Sequence, residues 1–323
     1  MKKFDKVRWG IIGCGDVTEV KSGPAFSKVQ DSELVAVMRR TGSLAKDYAE
    51  RHGIPRWYDQ AEELINDPEV DAVYIATPPG SHKEYTLKAA KAGKPVYVEK
   101  PMALKFSECN DMIAICKEYN VPLYVAYYRR SLPQFLKIKE LLQAEAIGSI
   151  RTVVTNHYQQ PTQELRDSWR VQPQISGGGL LFDMGSHTLD ILDFLLGPVR
   201  EVKGFQSNQA GNYLAEDIVT GTYLFESGVH GVGTWCFSAY NDGDKNEIIG
   251  SEGKITFSTF GNEPVILTTK EGRKEWSFEQ PMHVHQPLIE EIVAELTGKG
   301  GICPSNGESA ARTNLVLEKL IDR

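Results

Sequence analysis

Two carboxylates and an imidazole recur at helical spacing in the middle of the chain. Asp183, His187 and Asp190 lie four and three residues apart in "GGGLLFDMGSHTLDILDFLLG", among mostly apolar neighbours. On an α-helix these positions share one face, and an imidazole beside carboxylates can move protons near neutral pH. Because burying such groups without partners is unfavourable, the pattern favours an acid–base site. A hydrogen-bonded structural stripe is the main alternative, and a metal site is disfavoured because no further ligand cluster is apparent.

A second polar pair stands at the end of a short predicted strand. Residues 96–98 are apolar and favour β-structure, and Glu99 and Lys100 follow them directly before Pro101, which ends the strand. Opposite charges at this place are typical of an ordinary solvated turn. They also fit a lysine with a chemical task, and this stretch by itself does not separate the two interpretations.

A glycine-rich segment follows the first predicted strand. In "WGIIGCGDVTE", Gly13 and Gly15 precede a predicted helix, and Thr18 occupies the place of the third glycine of a dinucleotide fingerprint. Such glycines permit a tight turn and let a pyrophosphate approach the backbone amides of the helix start. Since a βα series follows, the segment predicts a nucleotide site rather than a glycine-rich turn without a ligand.

Two arginines end the second predicted strand. NAD sites usually carry Asp or Glu there, about 20 residues after the glycines, to bind the ribose 2′-hydroxyl. In "VAVMRRTGS" the place is taken by Arg39 and Arg40, with Thr41 and Ser43 beside them. Guanidinium groups and hydroxyls suit a 2′-phosphate, so we favour NADP over NAD. The alternative is that one arginine stacks on adenine while the other faces solvent.

The elements that must position these residues alternate in the first third of the chain. Apolar strand-like runs are followed by helical patterns, which predicts a parallel sheet covered on both faces. The strand-like runs are "VRWGII", "ELVAVM", "VDAVYIAT", "PVYVE" and "PLYVAY". The helical patterns are "SLAKDYAERHG", "SHKEYTLKAAKAG" and "SECNDMIAICKEYN".

The pattern changes after residue 125. A helix is predicted over "PQFLKIKELLQAEAIG", and from Ser149 onward strand-like runs lie closer together, which predicts a largely antiparallel sheet. The chain closes with the helical "QPLIEEIVAELTG" and "GESAARTNLVLEKLI". We therefore predict an α/β dinucleotide-binding (Rossmann) domain over 1–125 and an α+β domain with a large open sheet over 126–323. The final helix is a candidate to pack back on the first domain.

Composition narrows the classes of partner. The 323 residues suffice for two domains, and the net charge of -7 argues against nucleic acid or an anionic membrane as main partner. No apolar run approaches the roughly 20 residues that span a bilayer, and the first residues lack a signal-peptide core. Five cysteines without a Cys-x-x-Cys pair fit reduced thiols. We expect a cytoplasmic protein.

Together, these motifs resemble those of the glucose–fructose oxidoreductase, inositol dehydrogenase and MocA family (Gfo/Idh/MocA) over essentially the whole chain. The resemblance rests on Gly13-Cys14-Gly15, "ATPPGSH" at 76–82, Glu99-Lys100-Pro101, "GGGLLFDMGSHTLD" at 177–190 and "GSEG" at 250–253. It implies a Rossmann domain followed by an α+β domain whose open sheet packs against another subunit, as a homodimer or homotetramer. It also implies nicotinamide-dependent oxidation or reduction of a sugar, polyol or related cyclic compound.

The resemblance assigns roles to residues. Lys100 would stabilise charge on the reacting oxygen, His187 would carry the proton, and Asp183 would bind a neighbouring hydroxyl or orient the histidine. The alternative in which Lys100 carries the proton stays open. The expected cofactor-binding residues are Gly13, Gly15, Asp16, Val17, Arg39, Arg40, Thr77, Pro78, His82, Glu99 and Lys100. The expected substrate-binding residues are Tyr128, Trp169, Arg170, Asp183 and His187.

Three further histidines are left outside the predicted site. His157 lies on a predicted strand and is interpreted as structural, and His283 and His285, close to a C-terminal helix, receive no role.

Two other functions remain open at this level. One is a redox-neutral hydrolase that keeps NAD tightly bound and cleaves a glycoside after transient oxidation. The other is a non-catalytic nucleotide sensor, against which the set of Lys100, Asp183 and His187 argues, because a sensor needs no acid–base residues.

Overall fold

The computed structural model describes residues 2–322, over which the chain has fourteen β-strands and twelve α-helices. The strands are β1 (Val7–Ile12), β2 (Ser32–Met38), β3 (Arg56–Tyr58), β4 (Ala72–Ile75), β5 (Val96–Val98), β6 (Leu123–Val125), β7 (Ile150–Tyr158), β8 (Val199–Ser207), β9 (Ile218–Phe225), β10 (His230–Cys236), β11 (Gly243–Gly250), β12 (Gly253–Phe257), β13 (Val265–Thr269) and β14 (Gly272–Trp276). The helices are α1 (Asp16–Val20), α2 (Gly23–Lys28), α3 (Gly42–His52), α4 (Ala61–Asn66), α5 (His82–Lys91), α6 (Phe106–Glu118), α7 (Pro133–Gln143), α8 (Gln163–Arg166), α9 (Pro173–Ser176), α10 (Ser186–Leu196), α11 (Gln286–Thr297) and α12 (Gly307–Leu320).

These elements form two compact units. The first unit comprises residues 2–103, 107–128 and 281–311, and the second comprises 104–106, 129–280 and 312–322. The domain boundary predicted from the sequence, between 1–125 and 126–323, remains a prediction.

The first unit contains a six-stranded parallel sheet in the order β3-β2-β1-β4-β5-β6. The chain runs outward from β1 to β3 and then returns to the other side of β1 with β4. This reversal creates a crevice at the carboxyl ends of β1 and β4, the place where open α/β sheets bind ligands. The parallel α/β part of the predicted fold is confirmed.

Two neighbouring strands of this sheet each carry a tyrosine among aliphatic residues, and the two tyrosines are paired across the strands. Tyr74 on β4 and Tyr97 on β5 are paired in register and stack with ring centroids 4.8 Å apart. Trp9 and Phe26 extend this buried aromatic cluster, with their centroids 4.9 Å apart. Each tyrosine brings a hydroxyl into the interior, and a buried hydroxyl needs a hydrogen-bond partner.

The second unit contains an eight-stranded sheet in the order β14-β13-β12-β11-β7-β10-β9-β8. Its strand pairs are antiparallel apart from β7 with β10, which run parallel. Alternate residues of β7, Val153, Thr155 and His157, are buried, whereas those between them are partly exposed. The mostly antiparallel sheet with one buried face confirms the second part of the predicted fold.

The elements that were not predicted are short or lack an apolar pattern. β3 has three residues, α4 has six, and β14 is a polar edge strand with mostly exposed side chains. The turn at Ser251-Glu252 separates β11 from β12. These differences do not move the predicted site residues to other elements.

Candidate active site

The turn after β1 contains two glycines, Gly13 and Gly15. The backbone requires glycine at position 13 and merely permits it at position 15. Gly13 has φ +93°, and a Cβ there would come within 2.7 Å of Thr77 Cγ2. Gly15 has an extended backbone with φ -157°, and among the described residues a Cβ there would meet only Gly13 O, at 3.9 Å. Neither strain nor packing therefore demands glycine at 15. The open space in front of it fits the close approach of a pyrophosphate.

Thr18 closes the same turn in the place of the third glycine. Its hydroxyl donates to Gly15 O at 2.8 Å and accepts the Gly15 N–H at 3.0 Å. The Thr18 carbonyl in turn accepts the Tyr48 hydroxyl at 2.7 Å, and Thr18 is fully buried. The third glycine of the fingerprint serves close packing of the helix on the strand. Thr18 instead makes side-chain hydrogen bonds within the turn. Asp16 and Val17 begin α1 directly after this turn.

Arg39 and Arg40 follow β2 with exposed side chains. The Arg39 backbone N–H donates to Tyr58 O at 3.2 Å, and its Nη1 lies 3.4 Å from Cys14 O in the glycine turn. Arg39 is therefore positioned beside the predicted nucleotide loop, at the place where NAD-binding proteins carry an acid. A guanidinium there can bind a phosphate by charge-assisted hydrogen bonds.

The turn after β5 is built around a buried carboxylate. Glu99 Oε1 accepts the Tyr74 hydroxyl at 2.6 Å, and Glu99 Oε2 accepts the Lys100 backbone N–H at 3.1 Å. Burial raises the pKa of Glu99, while the Tyr74 hydrogen bond and the Lys100 charge oppose that rise. The Lys100–Pro101 peptide bond is cis, and the Lys100 side chain is partly exposed. Lys100 thus stands at the carboxyl end of a parallel strand.

His82 joins the loop after β4 to the turn after β5. The ring is fully buried, with Nε2 at 2.7 Å from Thr77 O and Nδ1 at 3.2 Å from both Pro101 O and Met102 O. Burial lowers the pKa of His82 to about 4, so the ring is neutral at pH 7. These contacts connect two predicted cofactor-binding segments. Pro78 lies in the loop after β4, directly before a 3₁₀ turn over Pro79–Ser81.

The glycine run of the second unit leads into a π-helical turn. Leu181–Gly185 forms this turn directly before α10, so Asp183 and His187 lie across a π-to-α junction rather than on one regular helix. Such junctions occur frequently at functional sites. Upstream, the Gly179 N–H donates to the buried Glu216 at 2.7 Å, which anchors the run.

Asp183 pairs with Arg170, another of the predicted substrate-binding residues. Arg170 Nε lies 3.3 Å from Asp183 Oδ2, and the Arg170 guanidinium stacks over the Trp169 ring at 4.6 Å. The structure thus brings three predicted substrate-binding residues together in the second unit. In the first unit, Tyr128 stacks against the ring of His285, with centroids 4.5 Å apart.

His187 packs against Phe260, and so does a second histidine. The His187 ring meets Phe260 edge-on at 5.8 Å, and the His157 ring lies 5.1 Å from the same phenylalanine. Arg129 lies over Phe260 at 4.5 Å. His157 is buried, and neither of its ring nitrogens has a hydrogen-bond partner among residues 2–322. Burial lowers the pKa of His157, and Asp244 and Asp242 oppose that effect.

Asp190 does not take part in the predicted acid–base stripe. Its carboxylate receives the Arg130 guanidinium at 2.7 and 2.8 Å, and Thr313 lies 3.4 Å away. Arg130 also reaches Asp193, which is held by Arg312 at 2.7 and 2.8 Å. Asp190 is held in this ion pair because the buried Arg130 guanidinium requires buried carboxylates to balance its charge. For Asp190 the interpretation as a structural stripe is the correct one.

We expect Arg130→Met to destabilise the second unit by about 3–5 kcal/mol, because it leaves the buried Asp190 without its countercharge. Burial already raises the pKa of Asp190 to about 6. Without Arg130 that pKa rises further, so ionisation of Asp190 costs more folding stability at pH 8 than at pH 4, where the group is protonated in the folded state and about half protonated in the unfolded state. Urea unfolding at both pH values measures this difference.

The exposed pair of Arg200 and Glu201, 3.2 Å apart, supplies the control. Arg200→Met should change the free energy of unfolding much less than Arg130→Met, since surface pairs contribute little. The loss of unfolding free energy in Arg130→Met, measured against the parent, should be larger at pH 8 than at pH 4. An equal loss at the two pH values would contradict the role given to Asp190.

Several site neighbours were not found from the sequence. Tyr74, His285 and Arg130 contact predicted residues from elements far away along the chain. One local signal was available, because a tyrosine within the apolar runs "AVYI" and "VYV" indicates a buried hydroxyl that requires a partner. No comparable local signal identifies Arg130 or His285.

Residues 2–322 contain neither a metal-binding cluster nor a helix that could span a membrane. Within residues 2–322, no cluster of three or more His, Cys, Asp or Glu side chains is arranged to hold a metal ion. None of the helices in that range combines the length and apolar character needed to cross a membrane.

Known proteins match the chain over both units. Residues 7–127 match the oxidoreductase family with an NAD-binding Rossmann fold, and residues 135–256 match the GFO/IDH/MocA C-terminal domain. Oxidoreductase P35 of Formosa agariphila is 42% identical over 318 residues, 97% of this chain and 98% of that protein. The 1,5-anhydro-D-fructose reductase of Ensifer adhaerens is 28% identical over 299 residues, 91% of this chain and 89% of that protein.

A solved structure shares the fold along nearly the full length. The aldose-aldose oxidoreductase of Caulobacter crescentus, crystallised with glycerol, superposes with a TM-score of 0.85 at 27% identity. The match covers 98% of this chain and 96% of that chain.

Proposed function

The chain belongs to the Gfo/Idh/MocA family of NAD-binding oxidoreductases, and from that premise we propose that it transfers a hydride between a nicotinamide cofactor and a CH–OH or carbonyl carbon of a sugar, polyol or related cyclic compound. The observation that carries the proposal is the convergence of the glycine turn, the Thr77 loop and the Lys100 turn at the carboxyl ends of three neighbouring parallel strands. The sugar-related names of the relatives support the substrate class.

The residues of the first unit fit a dinucleotide. Gly13 and Gly15 would receive the pyrophosphate, with Asp16 and Val17 at the helix start, and Arg39 and Arg40 would face the adenosine ribose. Further contacts are proposed for Thr77, Pro78, His82, Glu99 and Lys100. When bound, the nicotinamide supplies the hydride acceptor or donor of the reaction.

We assign the work on the substrate oxygen to Lys100 and His187. The Lys100 ammonium would stabilise negative charge that develops on that oxygen, and His187 would remove or deliver the proton. Asp183 would bind a neighbouring hydroxyl, for which its ion pair with Arg170 leaves acceptor capacity. The support is the intact residue set together with the family membership.

We add His157 to the proposed substrate contacts of Tyr128, Trp169 and Arg170. Its ring packs on Phe260, as does that of His187, and its two nitrogens have no partner within residues 2–322. A buried imidazole in this condition is unfavourable, and a ligand hydroxyl can complete its hydrogen bonds. Substrates with several hydroxyls fit this requirement.

The test is a panel of sugars, polyols, anhydro-sugars and cyclic diols, assayed in both directions by NAD(P)H absorbance. Turnover of at least one member with reversible NAD(P)H formation is expected. Glycoside cleavage with tightly held cofactor and no net NAD(P)H would instead identify a redox-neutral hydrolase. Cofactor binding without any turnover across the panel would favour a sensor.

We expect NADP⁺ to bind more tightly than NAD⁺, because Arg39 and Arg40 stand where an acid would repel the 2′-phosphate. In calorimetric titrations, Arg39→Ala or Arg40→Ala should weaken NADP⁺ binding by about 1.5–3 kcal/mol for each lost charge-assisted contact. NAD⁺ affinity serves as the control and should stay unchanged, since it lacks the phosphate. Equal affinities of the parent protein for the two cofactors, or tighter NAD⁺ binding, would refute the preference.

We also propose that the enzyme is a cytoplasmic homodimer or homotetramer that packs through the open face of the eight-stranded sheet. Partly exposed apolar residues on that face support the assembly, among them Val154, Val232 and Ile249. All five cysteines are free thiols, which agrees with a reducing compartment. Light scattering that gives a monomeric mass at micromolar concentration would contradict the assembly.

A further inference from the structure

The Glu99 carboxylate controls the turn that carries Lys100, because it binds that residue's own backbone. Glu99 is buried, its Oε2 accepts the Lys100 N–H at 3.1 Å, and its Oε1 accepts the Tyr74 hydroxyl at 2.6 Å. A buried carboxylate stays in one orientation only while donors surround it. Any group that holds the Glu99 side chain therefore also holds the backbone at Lys100.

A third neighbour of this carboxylate comes from the C-terminal part of the chain. His285, the residue before α11, is buried, and its Nε2 lies 3.7 Å from Glu99 Oε1. Its Nδ1 lies 2.9 Å from the Tyr97 hydroxyl. The His285 backbone N–H donates to Lys21 O at 3.2 Å, which fixes the residue to the segment after α1.

The Tyr97 contact is compatible with a His285 tautomer that presents an N–H to Glu99. Burial raises the pKa of Tyr97 well above its usual range, so its oxygen keeps its hydrogen and can donate it to Nδ1. In the neutral ring the N–H then lies on Nε2, the nitrogen that faces Glu99. In this tautomer the Nε2–H lies on the side of Glu99 Oε1, at an N–O distance of 3.7 Å, which is an electrostatic contact longer than a hydrogen bond.

We propose that His285 is a positioning residue for Lys100: it orients the Glu99 carboxylate, which in turn fixes the Lys100 turn. The inference deepens the proposed function and rests on it for the importance of Lys100. It gives a task to a histidine of the C-terminal segment that the sequence left unassigned. The charged and titratable groups around the carboxylate are Tyr74, Tyr97, His285, Lys100 and, at longer range, Lys21.

Two substitutions of His285 separate the two contacts of the ring. The amide of Gln places an N–H near the position of Nε2, so His285→Gln retains a donor towards Glu99 and loses the contact with Tyr97. The shorter side chain in His285→Asn reaches only the Nδ1 position, so it retains the Tyr97 contact and loses Glu99. If His285 had only a structural role, the effect of each variant on the Lys100 turn would not depend on whether the variant retains the Glu99 contact.

His283 supplies the matched control. It is also buried and belongs to the same segment, but its ring contacts the Lys28 ammonium and Val20 O rather than the Lys100 turn. His283→Gln therefore removes a buried imidazole two residues away without touching Glu99. Thermal unfolding of all variants shows whether each protein is folded.

The measurement is acetylation of Lys100 by acetic anhydride in the full chain, read by mass spectrometry relative to the exposed Lys91. In His285→Asn the Lys100 to Lys91 ratio should rise by about three- to tenfold, on the order of the effect of losing one polar contact, because the loosened turn exposes the amine. His285→Gln and His283→Gln should stay near the parent ratio. The assay needs no substrate, so it remains decisive if the proposed hydride transfer fails.

Turnover gives a second readout once the panel has identified a substrate. His285→Asn should lower kcat about three- to tenfold at unchanged cofactor Kd, and His285→Gln should restore most of that loss. An unchanged acetylation ratio in folded His285→Asn would overturn the proposal, and so would an equal rise in His283→Gln. If His285→Asn does not fold, Tyr97→Phe tests the same chain of donors, and an unchanged ratio there would also overturn it.

Discussion

Lys100→Ala is expected to lower kcat by about 10²- to 10³-fold, the usual effect of removing one group that stabilises a developing oxyanion. The ammonium matters most when charge has built up on the substrate oxygen, so its loss raises the barrier more than it weakens ground-state binding. Cofactor affinity should remain nearly intact, because the glycine turn and the arginines after β2 are unchanged. Steady-state kinetics on a substrate from the panel and calorimetry with NADP⁺ measure the two quantities.

Two companion variants sharpen the test of Lys100. Lys105→Ala removes an exposed lysine a few residues downstream and should leave kcat unchanged. Lys100→Arg keeps the charge but changes the shape and cannot release a proton near neutral pH. If charge alone matters, Lys100→Arg recovers part of the lost rate, whereas a proton-carrying lysine would not be replaced by arginine. A fall in kcat of less than about tenfold in Lys100→Ala would remove this lysine from the centre of the mechanism.

The parallel sheet was predictable because each of its main strands is a short, largely apolar run followed by a helical pattern. That arrangement leaves few alternatives for the chain, and it places Gly13, Arg39 and Lys100 directly after the ends of β1, β2 and β5. The strands that escaped prediction lack this signal. β3 is only three residues long, and β14 exposes nearly every side chain, so neither shows an apolar pattern.

Spacing alone misjudged the helix that carries His187. The i, i+4, i+7 pattern placed Asp183, His187 and Asp190 on one face, but the chain forms a π-helical turn before α10, and Asp190 binds Arg130. The partner lies 60 residues upstream, so no local pattern could reveal it. A charged residue on a predicted apolar helix is therefore ambiguous until its countercharge is known.

Contacts of the Lys100 turn show the same limit over a longer distance. The motif Glu99-Lys100-Pro101 was visible in the sequence, whereas the contact between Tyr97 and His285 joins residues 188 positions apart. Periodicity reports which face of an element is buried, but it does not report which element covers that face. The buried tyrosines of β4 and β5 were the only local hint that polar partners reach this place.

His187→Asn is the second substitution with a large expected effect. Reduction of a carbonyl needs a proton at oxygen as the hydride reaches carbon, and oxidation needs that proton removed. An imidazole can do both near neutral pH, and a positioned general acid–base typically contributes about 10²- to 10⁴-fold. His187 is buried beside Phe260, and asparagine keeps a polar group near the position of Nδ1 without an ionisation in that range. The maximal rate should fall accordingly.

The pH profile distinguishes the proton carrier from a residue that merely binds a hydroxyl. If His187 carries the proton, kcat of His187→Asn loses an ionisation near neutrality that the parent shows. His52→Asn, an exposed histidine at the end of α3, is the control and should keep both the rate and the profile of the parent. A His187→Asn enzyme with the parent's profile and only a raised KM would assign the proton to Lys100. Hydroxyl binding by His187 would then leave kcat nearly unchanged at saturating substrate, because an interaction made equally in the ground and transition states affects KM alone.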